Sequence, residues 1–342
     1  MSLLVTIFGL SILVILHEFG HYFAGKLCGM RILRFSVGFG PPLLMKKWRG
    51  TEWQLAAIPL GGFVHIDGMG PADEDQEAED PNAFRNKPVW QRVFVILAGP
   101  AMNWALAAIF IGFSAATVGL NQYDPKSTRI GEVVEGGAAS EAGLKNGDRV
   151  LRIDGIELDG WEQMVTLIEK SPDSKLRFQI LRNKELRSFD VTPKNRGNLG
   201  KIGVGPLPKT LKLGLFDSAK AGLIGAWRMT THQASILSSM LTGGGEGGQL
   251  SGLPGIVKTV SAHARQGLRK FLETLAWLSV GLFLLNLAPI PALDGGRLLF
   301  LSAETIRGRP LDAHLEGIIH AIGFILLMAL MIYVSIRDVI QG

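Results

Sequence analysis

Four long apolar runs dominate the hydrophobic pattern of this 342-residue chain. Each approaches or exceeds the ~20 apolar residues that a helix needs to cross a bilayer. The predicted spans are 3–24, 93–120, 271–287 and 318–336. We therefore predict a polytopic α-helical membrane protein with four transmembrane helices. Asn103 is a polar residue inside the second span, so we expect it to face the helix bundle and find a partner there.

The region between the first two spans, residues 27–90, has a different pattern. Short apolar stretches are broken by glycines and prolines, such as those at 38–42 and 61–62, which is typical of β-strands joined by turns. Strands at membrane depth are tolerated only where protein or a water-filled cavity satisfies the backbone. Two interpretations stay open, a re-entrant hairpin that could add a substrate strand to its edge and an amphipathic hairpin on the membrane surface. The acidic residues at 73–80 indicate a solvated loop.

Residues 121–212 have the composition of a soluble α+β domain. A strand-like stretch at 130–134 precedes the phrase AGLKNGDRVLRIDG, and a helix with a capping box from Asp159 to Glu162 follows. A hairpin then turns at 182–184. This order resembles a PDZ domain of the circularly permuted bacterial kind, which implies a groove for a peptide end or an extended strand. A domain that only blocks access sterically is the open alternative.

Residues 213–270 predict an amphipathic helix at the membrane interface, anchored by Trp227, and a flexible joint at 243–249. Lysines and arginines cluster close to the spans in 25–92, which predicts that this loop and 297–317 are cytoplasmic. The soluble domain and both termini are then extracytoplasmic. The N-terminus has no basic region or cleavage site of a signal peptide, so we expect the first span to be retained.

Composition narrows the function classes. The chain is 47% hydrophobic with a net charge of +5, and its basic residues do not alternate with aromatic ones, so we predict a bilayer as a partner and no nucleic acid. Its single cysteine, Cys28, excludes an intrachain disulfide framework.

The candidate chemistry begins inside the first span, where the sequence reads HEFGH. His17 and His21 are four residues apart and share one helix face, so both imidazoles can hold one metal ion. Glu18 lies beside that axis and is suited to take a proton from water on the metal. Ionisable residues are costly within a bilayer, so a chance occurrence there is disfavoured.

A catalytic zinc site usually has three protein ligands, and the third span ends in a candidate. Pro289 and Pro291 break the helix at membrane depth, and Asp294 follows. Asp294 could complete a His, His, Asp set; the alternative is a helix-ending turn with a capping aspartate. The histidines near the fourth span, His314 and His320, are expected to have a structural or interfacial role and not to bind the metal.

The motifs HEFGH and NLAPIPALDG together resemble those of the site-2 protease family (M50), intramembrane zinc metalloproteases. The similarity extends along the chain through VGFGP, IPLGG, LAGPAMN and LSGLPGI, and is to the bacterial type known as regulator of sigma-E protease. The well-known enterobacterial member carries two tandem PDZ domains, whereas this chain has room for one. The access mechanism and the substrate of the enterobacterial member are therefore not assigned to this chain.

The resemblance implies a site and a reaction. One Zn²⁺ per chain would be bound by three ligands and Glu18 would be the general base; Asn286, Pro289 and Pro291 would help to hold the substrate. The implied ligands are His17, His21 and Asp294. The substrates would be single-span membrane proteins, such as anti-sigma factors or remnant signal peptides, in a bacterial inner membrane. A peptide or C-terminal segment would bind the PDZ groove.

Two other classes compete with this interpretation. A non-catalytic PDZ adaptor with a structural metal would need no base at Glu18. A metal permease would be expected to carry internal repeats and several intramembrane acids, and the sequence shows no such repeat. The predicted domain organisation has eight segments. The transmembrane segments are 1–26, 91–120, 271–296 and 318–342. The cytoplasmic segments are the β region with its acidic loop, 27–90, and the loop 297–317. The extracytoplasmic segments are the PDZ domain with its flanks, 121–212, and the interfacial helix with the flexible joint, 213–270.

Overall fold

The computed structural model describes residues 2–70, 80–242, 251–309 and 312–341. It divides into two compact units, Met1–Val118 with Leu213–Gly342, and Gly119–Lys212. Most of the acidic loop predicted at 73–80, and the flexible joint predicted at 243–249, lie outside the described residues.

The described chain contains both helices and strands. The helices are α1 Ser2–Leu27, α2 Val89–Thr117, α3 Ala138–Glu141, α4 Trp161–Glu169, α5 Leu215–Leu241, α6 Leu253–Arg265, α7 Leu268–Leu287, α8 Asp294–Arg307 and α9 Ala313–Gln341. The strands are β1 Ile32–Trp48, β2 Thr51–Ile66, β3 Leu120–Gln122, β4 Ile130–Val133, β5 Arg149–Ile153, β6 Ile156–Glu157, β7 Leu176–Arg182, β8 Glu185–Val191, β9 Lys194–Arg196, β10 Leu199–Lys201, β11 Val204–Pro206 and β12 Lys209–Leu211.

Four helices of the described chain are long and apolar enough to cross a membrane, which confirms the predicted number. They are Leu4–Leu27, Val89–Thr117, Leu268–Leu287 and His314–Ile340. Many large apolar side chains of α9 are exposed, as expected for a surface that faces lipid. The chain is therefore a polytopic membrane protein.

Small residues let α1 and α2 pack closely. A Cβ on Gly20 would lie 2.3 Å from the carbonyl oxygen of Ala98, so only glycine fits there. Helices in a membrane associate through such close packing, because lipid tails are as apolar as leucine and supply no hydrophobic force between helices. The contact fixes the C-terminal half of α1 against the first turns of α2.

The predicted strands between the first two spans form an antiparallel pair, β1 and β2. The strands bend, so that Phe35 is paired with both Val64 and Trp53. An aromatic cluster joins them to α1: the Tyr22 ring is 5.7 Å from Phe35 and 5.1 Å from Trp53, centroid to centroid. The hairpin therefore packs directly on the helix that carries the HEFGH motif.

The amphipathic stretch after residue 212 forms α5, which packs lengthwise along α2. A Cβ on Gly222 would lie 2.2 Å from the Ala108 carbonyl oxygen, and one on Gly112 would lie 2.9 Å from that of Ser218. The Trp104 indole donates to Thr230 Oγ1 at 3.2 Å. The placement of α5 at the membrane interface stays a prediction.

The unit Gly119–Lys212 contains a four-stranded sheet of order β6-β5-β7-β8. Its core includes the fully buried side chains of Met164, Phe178 and Ile180. The predicted hairpin is confirmed: β7 and β8 are antiparallel, and Asn183 and Lys184 have φ of 53° and 70°, the left-handed geometry of a tight hairpin turn. The α+β composition agrees with the prediction, and the PDZ identity stays a prediction.

The capping box predicted from Asp159 to Glu162 is wrong. The N-cap of α4 is Gly160, which makes no side-chain cap. A Cβ there would lie 2.1 Å from the Pro125 carbonyl oxygen, so the close approach selects glycine. The Gln163 side chain instead accepts a hydrogen bond from the Asp159 backbone N–H at 2.6 Å.

Candidate metal centre

Three side chains from two distant parts of the chain converge at the C-terminal half of α1. His17 and His21 share one face of α1, with their Nε2 atoms 3.2 Å apart. Asp294 Oδ2, from the first residue of α8, lies 3.3 Å from His17 Nε2 and 3.4 Å from His21 Nε2. Both imidazoles are buried. These three residues form a candidate metal-binding group.

The spacing of these atoms fits zinc. A tetrahedral ion with ligands at about 2.0–2.1 Å separates any two of them by about 3.3 Å, and the three observed separations are 3.2, 3.3 and 3.4 Å. Asp294 Oδ2 is buried and makes no hydrogen bond to any described residue. A buried carboxylate oxygen aimed at two imidazoles is a ligand set for a cation, and two nitrogens with one oxygen are donors that zinc accepts.

One face of α2 supports the two imidazoles. His21 Nδ1 lies 2.8 Å from the Val95 carbonyl oxygen, which can only accept, so Nδ1–H donates and Nε2 keeps its lone pair for a metal. A Cβ on Gly99 would lie 2.2 Å from His21 Nε2. Asn103 Nδ2 lies 3.2 Å from His17 Nδ1. The expectation that Asn103 faces the bundle and has a partner is confirmed.

Glu18 is held beside the metal ligands by the β-hairpin. Its Oε2 accepts a hydrogen bond from the Val64 backbone N–H of β2 at 3.1 Å. Further toward the N-terminus of α1, Ser11 Oγ donates to the Pro59 carbonyl oxygen at 2.5 Å. Seven residues of α-helix correspond to about 10 Å, so β2 follows the apolar helix for that distance. The hairpin therefore lies against the apolar helix, and its re-entrant placement in a membrane stays a prediction.

The predicted break after the third span is confirmed: α7 ends at Leu287, and Pro289 and Pro291 lie in the connection to α8. Asn286 is in the last turn of α7. Asp294 is not the N-cap of α8, because Leu293 holds that position. The alternative of a capping aspartate therefore does not describe its place in the fold.

This connection is fixed by α9. His320 Nδ1 accepts a hydrogen bond from the Ala292 backbone N–H at 2.8 Å. Ala292 itself has a positive φ of 77°. A Cβ on Gly323 would lie 2.5 Å from Pro291 Cβ. The structural role expected for His320 is thus found in the loop that carries Asp294. Sequence reasoning did not identify Ala292 or Gly323, because only the packing of α9 reveals these contacts.

The fold and the site define a class: a helical membrane protein with a candidate His, His, Asp metal site and a further carboxylate, Glu18, on the helix that carries the two histidines. The comparison with protein families agrees. Residues 5–330 match Peptidase family M50, and the chain belongs to this family. The resemblance to site-2 proteases is thereby confirmed.

Two relatives match along almost their whole length. "Zinc metalloprotease RasP" of Geobacillus kaustophilus is 32% identical over an alignment 404 residues long, which covers 96% of this chain and 95% of the relative. "Metalloprotease MmpA" of Caulobacter vibrioides is 30% identical over 375 residues, covering 97% and 94%. Among solved structures, GtR34C of Geobacillus thermodenitrificans is 22% identical over 25% of this chain and 95% of its own, with a TM-score of 0.20.

Proposed function

We propose that this chain is a zinc-dependent endopeptidase that cleaves peptide bonds within or near the membrane-spanning segments of single-span proteins. The observation that carries the proposal is the meeting of Asp294, from α8, with the buried His17 and His21 of the apolar helix α1, with Glu18 beside them. Membership of Peptidase family M50 supports the same reaction class.

The ligand residues have distinct roles in this proposal. His17 and His21 would hold the metal through Nε2, and Asp294 would complete the set through Oδ2. When bound, zinc supplies the Lewis acidity that makes water a nucleophile near neutral pH. Glu18 would take a proton from the attacking water and later pass it to the leaving amine. The Val64 N–H holds the Glu18 carboxylate in place through its hydrogen bond.

A helical substrate must unwind before attack, because its carbonyls are engaged in internal hydrogen bonds. The hairpin of β1 and β2 lies against the catalytic helix and could pair with an unwound substrate strand. Asn286, Pro289 and Pro291 precede Asp294 in the chain, and we propose that this segment holds the substrate from another side. Substrates already shortened outside the membrane fit this route best.

A groove in the unit Gly119–Lys212 is a candidate for a second recognition site. A groove of about 410 Å³ lies between α4 and the chain before β11. The α4 side contributes Trp161, Met164 and Ile168, and the opposite side contributes residues 202–204. We propose that this groove is the PDZ site for a peptide end or an extended strand. A domain that only limits access sterically would leave the groove without a ligand.

We further propose a bacterial inner membrane as the location. The Lys- and Arg-rich segment before α2 would then be cytoplasmic, and the Gly119–Lys212 unit and both termini extracytoplasmic. The zinc site lies at the end of α1 that leads into the basic segment. Accessibility labelling of single-cysteine variants, made after replacing Cys28, would test this orientation.

Glu18→Gln tests the reaction. The variant should bind zinc as the wild type does and lose activity by roughly 10²–10⁴-fold, the usual contribution of a general base. The assay is cleavage of single-span membrane proteins by purified full-length protein in liposomes, with zinc content measured in parallel. Glu273→Gln is the matched control, because this half-exposed glutamate on α7 forms an ion pair with Lys270 at 3.6 Å and is not part of the candidate metal group.

The two possible failures have different meanings. Normal cleavage by Glu18→Gln would show that another group is the base. Zinc-loaded wild-type protein that cleaves no member of a broad substrate panel, yet captures them through the groove, would support the adaptor alternative.

A further inference from the structure

The side chain of Asn103 reaches the metal centre from α2. The residue is fully buried, and its Nδ2 lies 3.2 Å from His17 Nδ1. Its Oδ1 is buried and has no hydrogen-bond partner among the described residues. Leaving a buried acceptor unpaired costs roughly 1–3 kcal/mol, so the orientation of this amide has an energetic consequence.

Zinc binding by His17 would determine which way the Asn103 side-chain amide is oriented. An imidazole that binds a metal through Nε2 carries its remaining proton on Nδ1, and that N–H needs an acceptor. Nδ2 of an amide can only donate. Rotation of the Asn103 amide by a half-turn exchanges Nδ2 with Oδ1, which brings the unpaired oxygen to the His17 ring.

The other imidazole, His21, already has an acceptor for its Nδ1–H. Its Nδ1–H donates to the Val95 carbonyl oxygen at 2.8 Å. Val95, Gly99 and Asn103 are spaced four residues apart and lie on one face of α2. This face therefore presents an acceptor to His21, leaves room for its ring at Gly99, and places an amide against the second imidazole.

We propose that Asn103 is a positioning residue: its Oδ1 accepts a hydrogen bond from Nδ1–H of His17 and holds that imidazole in the tautomer that binds zinc. The amide acts through His17 and does not touch the metal. The proposal concerns zinc affinity and stands whether or not the chain is a protease.

Three substitutions of Asn103 separate an acceptor from a packing role. Asn103→Ala and Asn103→Leu both remove the acceptor, and Leu keeps most of the volume; zinc affinity should fall roughly 10–100-fold in both. Asn103→Asp restores an acceptor, and its affinity should equal or exceed that of the wild type. Zinc affinity is measured by competition with a chromophoric chelator on full-length protein in detergent, in the Glu18→Gln background to prevent self-cleavage.

Ser279→Ala is the matched control. Ser279 Oγ donates to the backbone carbonyl oxygen of Asn103 at 2.8 Å, so this substitution removes a buried contact of the same residue and leaves its amide intact. Zinc affinity should stay at the wild-type value. A thermal unfolding curve for each variant shows that the protein is folded.

Two results would overturn the proposal. One is wild-type zinc affinity in Asn103→Leu, which would show that volume alone matters. The other is an Asn103→Asp variant as weak as Asn103→Ala, which would show that the amide donates. Nitrogen-15 NMR of zinc-loaded, histidine-labelled protein gives an independent reading: the His17 signal, assigned with a His17 variant, should show a protonated Nδ1 in the wild type, and an unprotonated Nδ1 would contradict the proposal.

Discussion

Gly99→Ala should weaken zinc binding by more than 100-fold while leaving the helices in place. A Cβ at residue 99 would lie 2.2 Å from His21 Nε2 and 2.4 Å from its Cε1. Ordinary van der Waals contact begins near 3.4 Å, so the ring must retreat by about 1.2 Å. Metal–ligand distances tolerate about 0.2 Å. The displaced Nε2 can no longer ligate, and the retreat also strains the hydrogen bond to Val95.

The magnitude follows from losing one of three ligands. Loss of a supporting contact alone costs roughly 10–100-fold in metal affinity, so loss of a ligand should exceed 100-fold, or about 2.7 kcal/mol. The assay is chelator competition combined with elemental analysis of the purified protein. Because Ala is a better helix former than Gly, the helix itself is not weakened.

Gly281→Ala is the control for this experiment. Gly281 lies in α7, and a Cβ there would approach only the flexible end of Gln233, at 3.4 Å. Zinc stoichiometry should be unchanged. If Gly99→Ala binds one zinc with wild-type affinity, the imidazole of His21 is not confined as described, and the role assigned to the α2 face is refuted.

Two further predictions concern stability, both measured by thermal unfolding of the full chain. His320→Ala removes the acceptor of the Ala292 N–H and should cost roughly 1–3 kcal/mol; an unchanged melting temperature would contradict the role of His320 in the loop. Arg182→Ala removes the guanidinium that donates two hydrogen bonds of 2.7 Å to the buried Asp148 carboxylate, and should lower the free energy of unfolding by roughly 3–5 kcal/mol. Arg152→Ala, in an exposed ion pair, is the control and should have little effect on stability. Burial alone would raise the pKa of Asp148, but hydrogen bonds from Arg182 hold that pKa below its usual value. The stability that this pair contributes should therefore be complete above about pH 4 and should fall as the pH drops further. The same acid dependence of the melting temperature in Arg182→Ala and in the wild type would contradict this prediction.

The membrane helices and the candidate metal ligands were predictable from the sequence because each is associated with a local sequence pattern. Apolar runs of sufficient length define spans, and the four-residue spacing of His17 and His21 defines a shared helix face. Asp294 was a candidate because two prolines interrupt an apolar helix just before it. The choice between ligand and cap at that position needed the family resemblance, since spacing alone does not join residues 21 and 294.

The support for the ligands was not predictable in the same way. The contacts of Val95, Gly99 and Asn103 join two helices whose relative rotation and depth no local pattern specifies. Asn103 was noticed only as a polar residue in an apolar run. The failed capping box at Asp159 has a similar cause, since the approach of the Pro125 carbonyl to Gly160 is a tertiary contact that overrides a local preference.

The distance along the chain between the imidazoles and the carboxylate has a consequence for biosynthesis. A ribosome makes His17 and His21 early, but Asp294 and the helix that steadies its loop come hundreds of residues later. At roughly 5–20 residues per second, the growing polypeptide spends many seconds in the translocation machinery with an incomplete set of ligands. During that interval the proposed zinc site lacks its third ligand, so the proposed hydrolysis requires the finished chain.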